Sequence, residues 1–255
     1  MGELEGKRIL VAGGAAGIGA ATARRLGAEG AKVFLGDIDL VGAKTVAQEI
    51  SEAGGTARAE RFDLLDPSSI ESLVADAVAA FGGLDGVANI AADTSIATMS
   101  NDRPLVDMDL ANWERTLRAN LTSYALINKH AIPHLIAAGG GSIVNMSSNA
   151  ADAGEPQRPA YGASKAGINA LTRHIAAVYG PHGVRANALS PGLVLSEQAE
   201  AFISDEIKAM TLVKSPIKRL GRPSDVAQLI SFLLSDDADW VTGQVWHING
   251  GLRFH

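Results

Sequence analysis

The chain contains no cysteine. Disulfides, thiol nucleophiles and thiolate metal sites are thereby excluded. Basic excess is missing as well: the net charge is −6 and the isoelectric point about 5.5, whereas binding a phosphate backbone needs a cationic face, so nucleic acid is not an expected partner. No apolar run reaches the ~18 residues of a membrane span, and no membrane partner is expected. Met1-Gly2-Glu3-Leu4-Glu5-Gly6-Lys7 shows neither a secretory apolar region nor the Ser or Thr that a myristoylation signal wants at its sixth position, which makes a cytoplasmic protein the expectation. Repeats, low-complexity tracts and extended linkers are absent. The 255 residues therefore read as one domain with an ample core. His130 and His134 stand four apart, a spacing that can bind metal, but no carboxylate accompanies them, so packing or a subunit contact is expected and no metal site.

Short apolar runs alternate with helical stretches. Arg8 to Ala12, Lys32 to Asp37, Thr56 to Asp63, Leu84 to Asn89, Ser142 to Ser147, Val184 to Leu189 and Gln244 to Ile248 read as strands. Between them, Gly17 to Ala28, Val41 to Ala53, Ser68 to Phe81, one long segment from Leu110 to Ile136, and the run through Tyr161 to Tyr179 read as helices. Pro223-Ser224-Asp225 starts a last one, ending at Leu234. Such alternation means βαβ units, an α/β fold with a doubly wound parallel sheet and helices on both faces. Ligands bind such sheets beyond the strand carboxyl ends. Gly13, Asp37, Asp63, Asn89, Ser148 and Pro191 all fall there.

Gly13-Gly14-Ala15-Ala16-Gly17-Ile18-Gly19 joins the first strand to the first helix, a place where glycines let backbone approach a pyrophosphate at a helix N-terminus. The pattern is GxxxGxG rather than GxGxxG. Asp37 closes the second strand eighteen residues beyond Gly19. Its carboxylate can accept both ribose hydroxyls and would repel a 2′-phosphate; no cation stands at Ala15, Ala16 or Ile38, so NAD is favoured over NADP. Asp63 either accepts from the adenine amino group or caps the helix after Pro67.

Tyr161 and Lys165 stand one helical turn apart, and of the three tyrosines only Tyr161 has a lysine at +4. A phenol ordinarily titrates near pH ~10, but a cation at about 4 Å in an effective dielectric near 20 favours the phenolate by roughly 4 kcal/mol. That prepares it to exchange a proton with an alcohol or ketone oxygen.

With the glycine loop, Asp37, Asn89, Ser148, Tyr161 and Lys165 in this order, the chain resembles the short-chain dehydrogenase/reductase family from Lys7 through Leu252. The resemblance implies a Rossmann-type sheet of seven parallel strands. It also implies hydride transfer between NAD(H) and a secondary alcohol or ketone. Tyr161 is then the general acid/base and Lys165 its partner and a ribose ligand. Ser148, thirteen residues before Tyr161, binds the reacting oxygen, and Asn120 holds a water that links Lys165 to solvent. Gly13, Ala16, Gly17, Ile18, Gly19, Asp37, Ile38, Asp63, Leu64, Asn89, Pro191, Gly192, Val194 and Ser196 match cofactor-binding positions. Ala12, Ile90 and Ala92 depart from the family, where a threonine, an asparagine and a glycine are usual.

A substrate lid is expected at about 193–222, with a helix from Glu197 to Leu212 whose Ala199, Phe202, Ile203 and Met210 make an apolar cover. Asn149, Asp152, Glu155, Gln157 and Arg158 either read a polyol or acid or are plain loop polars. The substrate stays open between a cyclic or sugar-like polyol and a hydrophobic secondary alcohol. Trp240, Trp246 and the tail Leu252-Arg253-Phe254-His255 are apolar for a terminus; in the family this region packs between subunits of a homotetramer. The rival readings are a non-catalytic NAD-binding regulator, or an epimerase or dehydratase on the same scaffold.

Overall fold

The computed structural model describes residues 4–154, 156–200 and 203–254, with the side chains of Gln198 and Ala199 left aside. Seven parallel strands form one sheet in the order β3-β2-β1-β4-β5-β6-β7. They are β1 (Arg8–Ala12), β2 (Lys32–Asp37), β3 (Thr56–Arg61), β4 (Gly86–Asn89), β5 (Gly141–Met146), β6 (Val184–Pro191) and β7 (Val245–Ile248). The order reverses between β1 and β4, which opens a crevice at their carboxyl ends.

The strand residues are apolar in succession because both faces are covered. Ile9, Val11, Val33 and Leu35 point to one face, where α1 (Gly17–Ala28), α2 (Leu40–Glu52) and α10 (Pro223–Leu234) bring Ala23, Leu26, Val46, Ile50, Ile230 and Leu233. Leu10, Ala12 and Phe34 point the other way, against α3 (Pro67–Phe81), α6 (Ser123–Ala137) and the far end of α7 (Pro159–Tyr179). Burial of this kind contributes about 25 cal/mol per Å² of apolar surface, and it is the main force fixing the layers.

The expected helix from Leu110 to Ile136 is present but not uniform. It runs as α5 (Leu110–Leu117), a π-helical turn (Arg118–Thr122) and α6, and the widened turn carries Asn120. A short α4 (Ile96–Asn101), capped by Ser95, was not visible as a periodic segment. The expected Glu197–Leu212 helix is two: α8 (Glu197–Glu200) and α9 (Asp205–Lys214). Ser204 starts α9 anew by accepting from the Ile207 N–H, which is why the pattern could not continue. Phe202, Glu155 and His255 lie outside the described residues. Strand β6 extends to Pro191, where it pairs with Ile248, past the expected end at Leu189.

Candidate active site

The crevice is built first by the glycine loop. Gly13 has φ 96, and a Cβ there would lie 2.5 Å from the Ala91 nitrogen; one on Gly19 would lie 1.6 Å from the Gly13 carbonyl oxygen. Only glycine allows the loop to fold so tightly between β1 and β4. Gly17, with φ 54, leaves α1 starting at an open N-terminus, and its neighbour across the crevice is Ser196. The cradle fits a nicotinamide dinucleotide, whose pyrophosphate needs close backbone and free helix N–H groups.

Asp37 does more than the sequence suggests. Its Oδ2 accepts from the Ala15 N–H at 2.9 Å and its Oδ1 from the Asp39 N–H at 3.0 Å. It therefore ties the glycine loop to β2 and still keeps a free lone-pair direction on each oxygen. Ile38 beside it is 62% exposed, an apolar face placed for a flat ring. The two readings of Asp63 separate: the cap of α3 is Asp66, which accepts from Ser68, while Asp63 turns its own loop through the Leu65 N–H. Leu64 packs against the core beneath that loop.

Asn89 is fully buried and donates to Asn128 at 2.9 Å and Asn145 at 2.8 Å; Asn145 donates on to Thr172 at 3.0 Å. This chain of amides joins β4, β5, α6 and α7 behind the crevice. The Asn89 Nδ2 is thus committed inside, while its buried Oδ1 makes no hydrogen bond. Ile90 and Ala91 both donate to the Ala12 carbonyl, at 2.9 and 2.8 Å. Backbone bonds therefore hold this corner where the side chains at 12, 90 and 92 cannot.

Lys165 is 1% exposed. Its ammonium donates to the Met146 carbonyl at 2.9 Å, at the end of β5, and stands 5.6 Å from the Tyr161 ring centroid and 5.4 Å from that of Tyr124. Burial pulls its pKa down from 10.5 to about 7. Stripped of water, the ammonium holds its charge less firmly than an exposed lysine would, beside the Tyr161 ring. Tyr124, which has no lysine at +4, is completely buried. Burial, then the charge of Tyr161, raises its pKa, which keeps it a neutral wall.

Ser148 follows β5 and caps a short 3₁₀ turn: its Oγ accepts from the Ala150 N–H at 3.2 Å. Its own O–H remains for another acceptor. Asn120 Oδ1 accepts from the Asp93 N–H at 2.7 Å, and its Nδ2 donates to the Asp93 carbonyl at 3.4 Å. Its amide is therefore tied to the loop after β4, with one N–H and one lone-pair direction to spare. Asp93 in turn is held by Ser95, Thr98 and Arg115. Burial would raise its pKa, but those donors outweigh it and hold the carboxyl below its ordinary value. Pro191-Gly192 closes the crevice from β6, and Gly192 donates to Ile248 at 3.0 Å; Val194 bridges to Gly221. His130 and His134 lie on α6, and among the described residues no group of three His, Asp or Glu side chains could hold a metal ion.

A family model described as enoyl-(acyl carrier protein) reductase matches residues 13–253. A cis-4-hydroxycyclohexanecarboxylate dehydrogenase from Sinomonas cyclohexanicum is 40% identical over 98% of this chain and 98% of its own length. The chain belongs to the short-chain dehydrogenase/reductase family. A cyclohexanol dehydrogenase of Acinetobacter sp. (strain SE19) is 34% identical, with 96% of this chain and 94% of that protein covered. Among solved structures, a 7α-hydroxysteroid dehydrogenase complexed with NADH and 7-oxo glycochenodeoxycholic acid superposes with a TM-score of 0.92 at 32% identity, covering 97% of this chain and 94% of that one. This short-chain dehydrogenase/reductase is an oxidoreductase acting on CH–OH groups of small molecules, and it works with a nicotinamide cofactor.

Proposed function

We propose that this chain oxidises a secondary alcohol carried on a ring, with NAD as hydride acceptor. One observation carries the reading: a buried lysine with a near-neutral pKa stands beside the Tyr161 ring, at the end of the strand that also delivers Ser148. The ring preference rests on relatives named for cyclohexanol, hydroxycyclohexanecarboxylate and hydroxysteroid substrates. NAD rather than NADP rests on the Asp37 carboxylate, with exposed Ile38 and no cation following it.

Gly13, Ala16, Gly17, Ile18 and Gly19 would hold the pyrophosphate. Asp37 and Ile38 would take the adenosine ribose and ring, with Asp63, Leu64 and the Asn89 backbone beside them. Pro191, Gly192, Val194 and Ser196 would flank the nicotinamide, and Tyr161 and Lys165 would reach its ribose. When bound, the nicotinamide supplies the hydride acceptor.

Tyr161 Oη takes the hydroxyl proton of the alcohol as the carbonyl forms. Ser148 donates its free O–H to the same oxygen and stabilises negative charge developing there. Lys165 holds the proton count of the pair near neutrality and passes the surplus outward. Asn120, in the π-helical turn, would hold the water that links Lys165 to solvent, with the second Nδ2 hydrogen and Oδ1 lone pair not used by Asp93. The lid, about 193–222, covers the substrate. Trp240 and Phe254, 96% and 83% exposed, suit the subunit contacts of a homotetramer, whereas Trp246 packs inside the chain, 6.5 Å from Phe232. A single domain in a reducing cytoplasm accords with the absence of cysteine.

Absorbance at 340 nm tests this. Cyclohexanol-type and steroid alcohols with NAD⁺ should give reduced cofactor, and sugar alcohols much less. Failure of every alcohol to reduce NAD⁺, with binding of NADH intact, would leave the regulator reading in its place.

A further inference from the structure

Helix α7, which carries Tyr161 and Lys165, starts without a cap of its own. Arg158 at its N-cap has φ 61, the only positive φ at a non-glycine among the described residues, and its side chain makes no capping bond. Pro159 has no N–H to offer. The first two N–H groups of the helix, those of Ala160 and Tyr161, donate to the two carboxylate oxygens of Asp102, at 3.1 and 2.8 Å. The Asp102 carbonyl also accepts from the Arg158 N–H, at 3.0 Å. Asp102 is 5% exposed and is the residue that ends α4, its C-cap. An acid from another part of the chain thus replaces the missing cap.

We propose that Asp102 is a positioning residue for the reaction, a clamp that sets the Tyr161 backbone in register with Lys165. This inference rests on the reading of Tyr161 as the proton-transfer group. The two side chains are anchored differently: Lys165 is tied to β5 through Met146, whereas Tyr161 occupies the third position of the helix, where an uncapped end frays. Without the carboxylate, the first turn is free to shift while the lysine stays. The same residue places Arg158, whose guanidinium carbon lies 5.9 Å from the Tyr161 ring centroid, so one acid sets the backbone of both. Its negative charge is met by two N–H donors and the positive end of α7, a setting in which a buried carboxylate is at ease. The loop it closes is also held at its start, where the Asp93 N–H bonds Asn120. The segment from 93 to 102 is thereby tied to the π-helical turn at its start and to α7 at its end.

Asp102→Ala removes both acceptors, and Asp102→Asn keeps one. A misplacement of about 1 Å near the reacting atoms costs on the order of 10²-fold in rate. Asp102→Ala should therefore lose kcat by about 30- to 100-fold with the Kd for NADH within about twofold, and Asp102→Asn should fall between it and wild type. Amide exchange at Ala160 and Tyr161 should speed by about tenfold or more while core strands keep their protection. In a Tyr161→Phe background the alanine change should cost the residual turnover nothing further. The clamp is refuted by a folded Asp102→Ala enzyme within about threefold of wild-type kcat, or by an equal further loss in the Tyr161→Phe background. If the alanine variant does not fold, Asp102→Asn decides by the same criteria. Should the wild-type chain oxidise no alcohol, the reading of function fails, and unchanged exchange at Tyr161 in Asp102→Asn separately refutes the clamp.

Discussion

The two edges of the sheet treat charge in opposite ways. At the amino ends of the strands lies a polar groove of about 510 Å³ lined by Lys7, Asp85, Arg185, Asp236 and glycines 139–141 and 183. The charges Lys7, Asp85, Arg185 and Asp236 each have partners. Arg8 holds Asp85 through both its Nε and Nη2 at 2.7 Å, Lys7 reaches Asp236, and Arg185 donates to the carbonyls of Leu233 and Ser235. At the carboxyl ends a lysine is buried against two phenol rings with one carbonyl partner, and the Tyr124 hydroxyl and Asn149 Nδ2 make no hydrogen bond. Polar groups that complete each other stabilise a fold; polar groups left short of partners are available to a ligand or to a proton. A groove's size therefore says less about function than the state of the groups that line it.

The sharpest way to break the contrast is at Tyr161. Tyr161→Phe should lower kcat by about 10²- to 10⁴-fold while NADH still binds, read by stopped-flow absorbance and by fluorescence titration. Next in size is cofactor choice. Asp37→Asn removes the charge that would repel a 2′-phosphate, and should weaken NADH by about tenfold while NADPH binding tightens, which a titration with each nucleotide measures. Loss of NADH affinity without gain of NADPH would point instead to collapse of the loop held through Ala15.

Lys165 gives a third test, with an opposite sign for stability and function. Its folded pKa of about 7 lies below the ordinary 10.5. As pH falls through that interval the unfolded chain takes up a proton that the folded one resists, so the residue destabilises the fold at neutral and lower pH and not above the ordinary value. Lys165→Met should lose turnover yet raise stability by about 2 kcal/mol at pH 7, even after the Met146 carbonyl loses its donor; the gain should fade towards alkaline pH in urea titrations. At the other edge the expectation inverts. For Asp85 burial would raise the pKa, but the bonds from the Arg8 side chain and backbone outweigh it, and the carboxyl is held below 3.8. Its stabilisation is present above the ordinary carboxylate range and is lost as pH falls through the lowered value. Asp85→Asn should cost about 1 to 2 kcal/mol at neutral pH, flatten the acid side of the stability curve and leave kcat unchanged.

Much of this was legible in the chain. The strand of Arg8 to Ala12, the helix of Gly17 to Ala28 and the strand of Lys32 to Asp37 have the bounds expected of them, because buried parallel strands and glycine turns leave local marks. The pairing of Tyr161 with Lys165 is legible because one helical turn is a local relation. Asp102 was not: it meets Tyr161 across 59 residues, and nothing local in Asn101-Asp102-Arg103 marks an acid that caps a distant helix. Nor was the widened turn at Asn120, since its residues are ordinary helix formers. The contact of Lys165 with Tyr124 is not legible either, because +4 spacing looks only along one helix and Lys165 reaches Tyr124 from another.

Periodicity, glycine placement and one i, i+4 pair, all of them short-range properties, suffice to determine the alternating architecture, the glycine-lined crevice and the nearness of the tyrosine and lysine proposed to act there. Packing alone decided how far the lysine is stripped of water, which acid holds the tyrosine's helix, and which amides are spent inside. Those depend on atoms brought together from distant parts of the chain, and desolvation exists only once they have met.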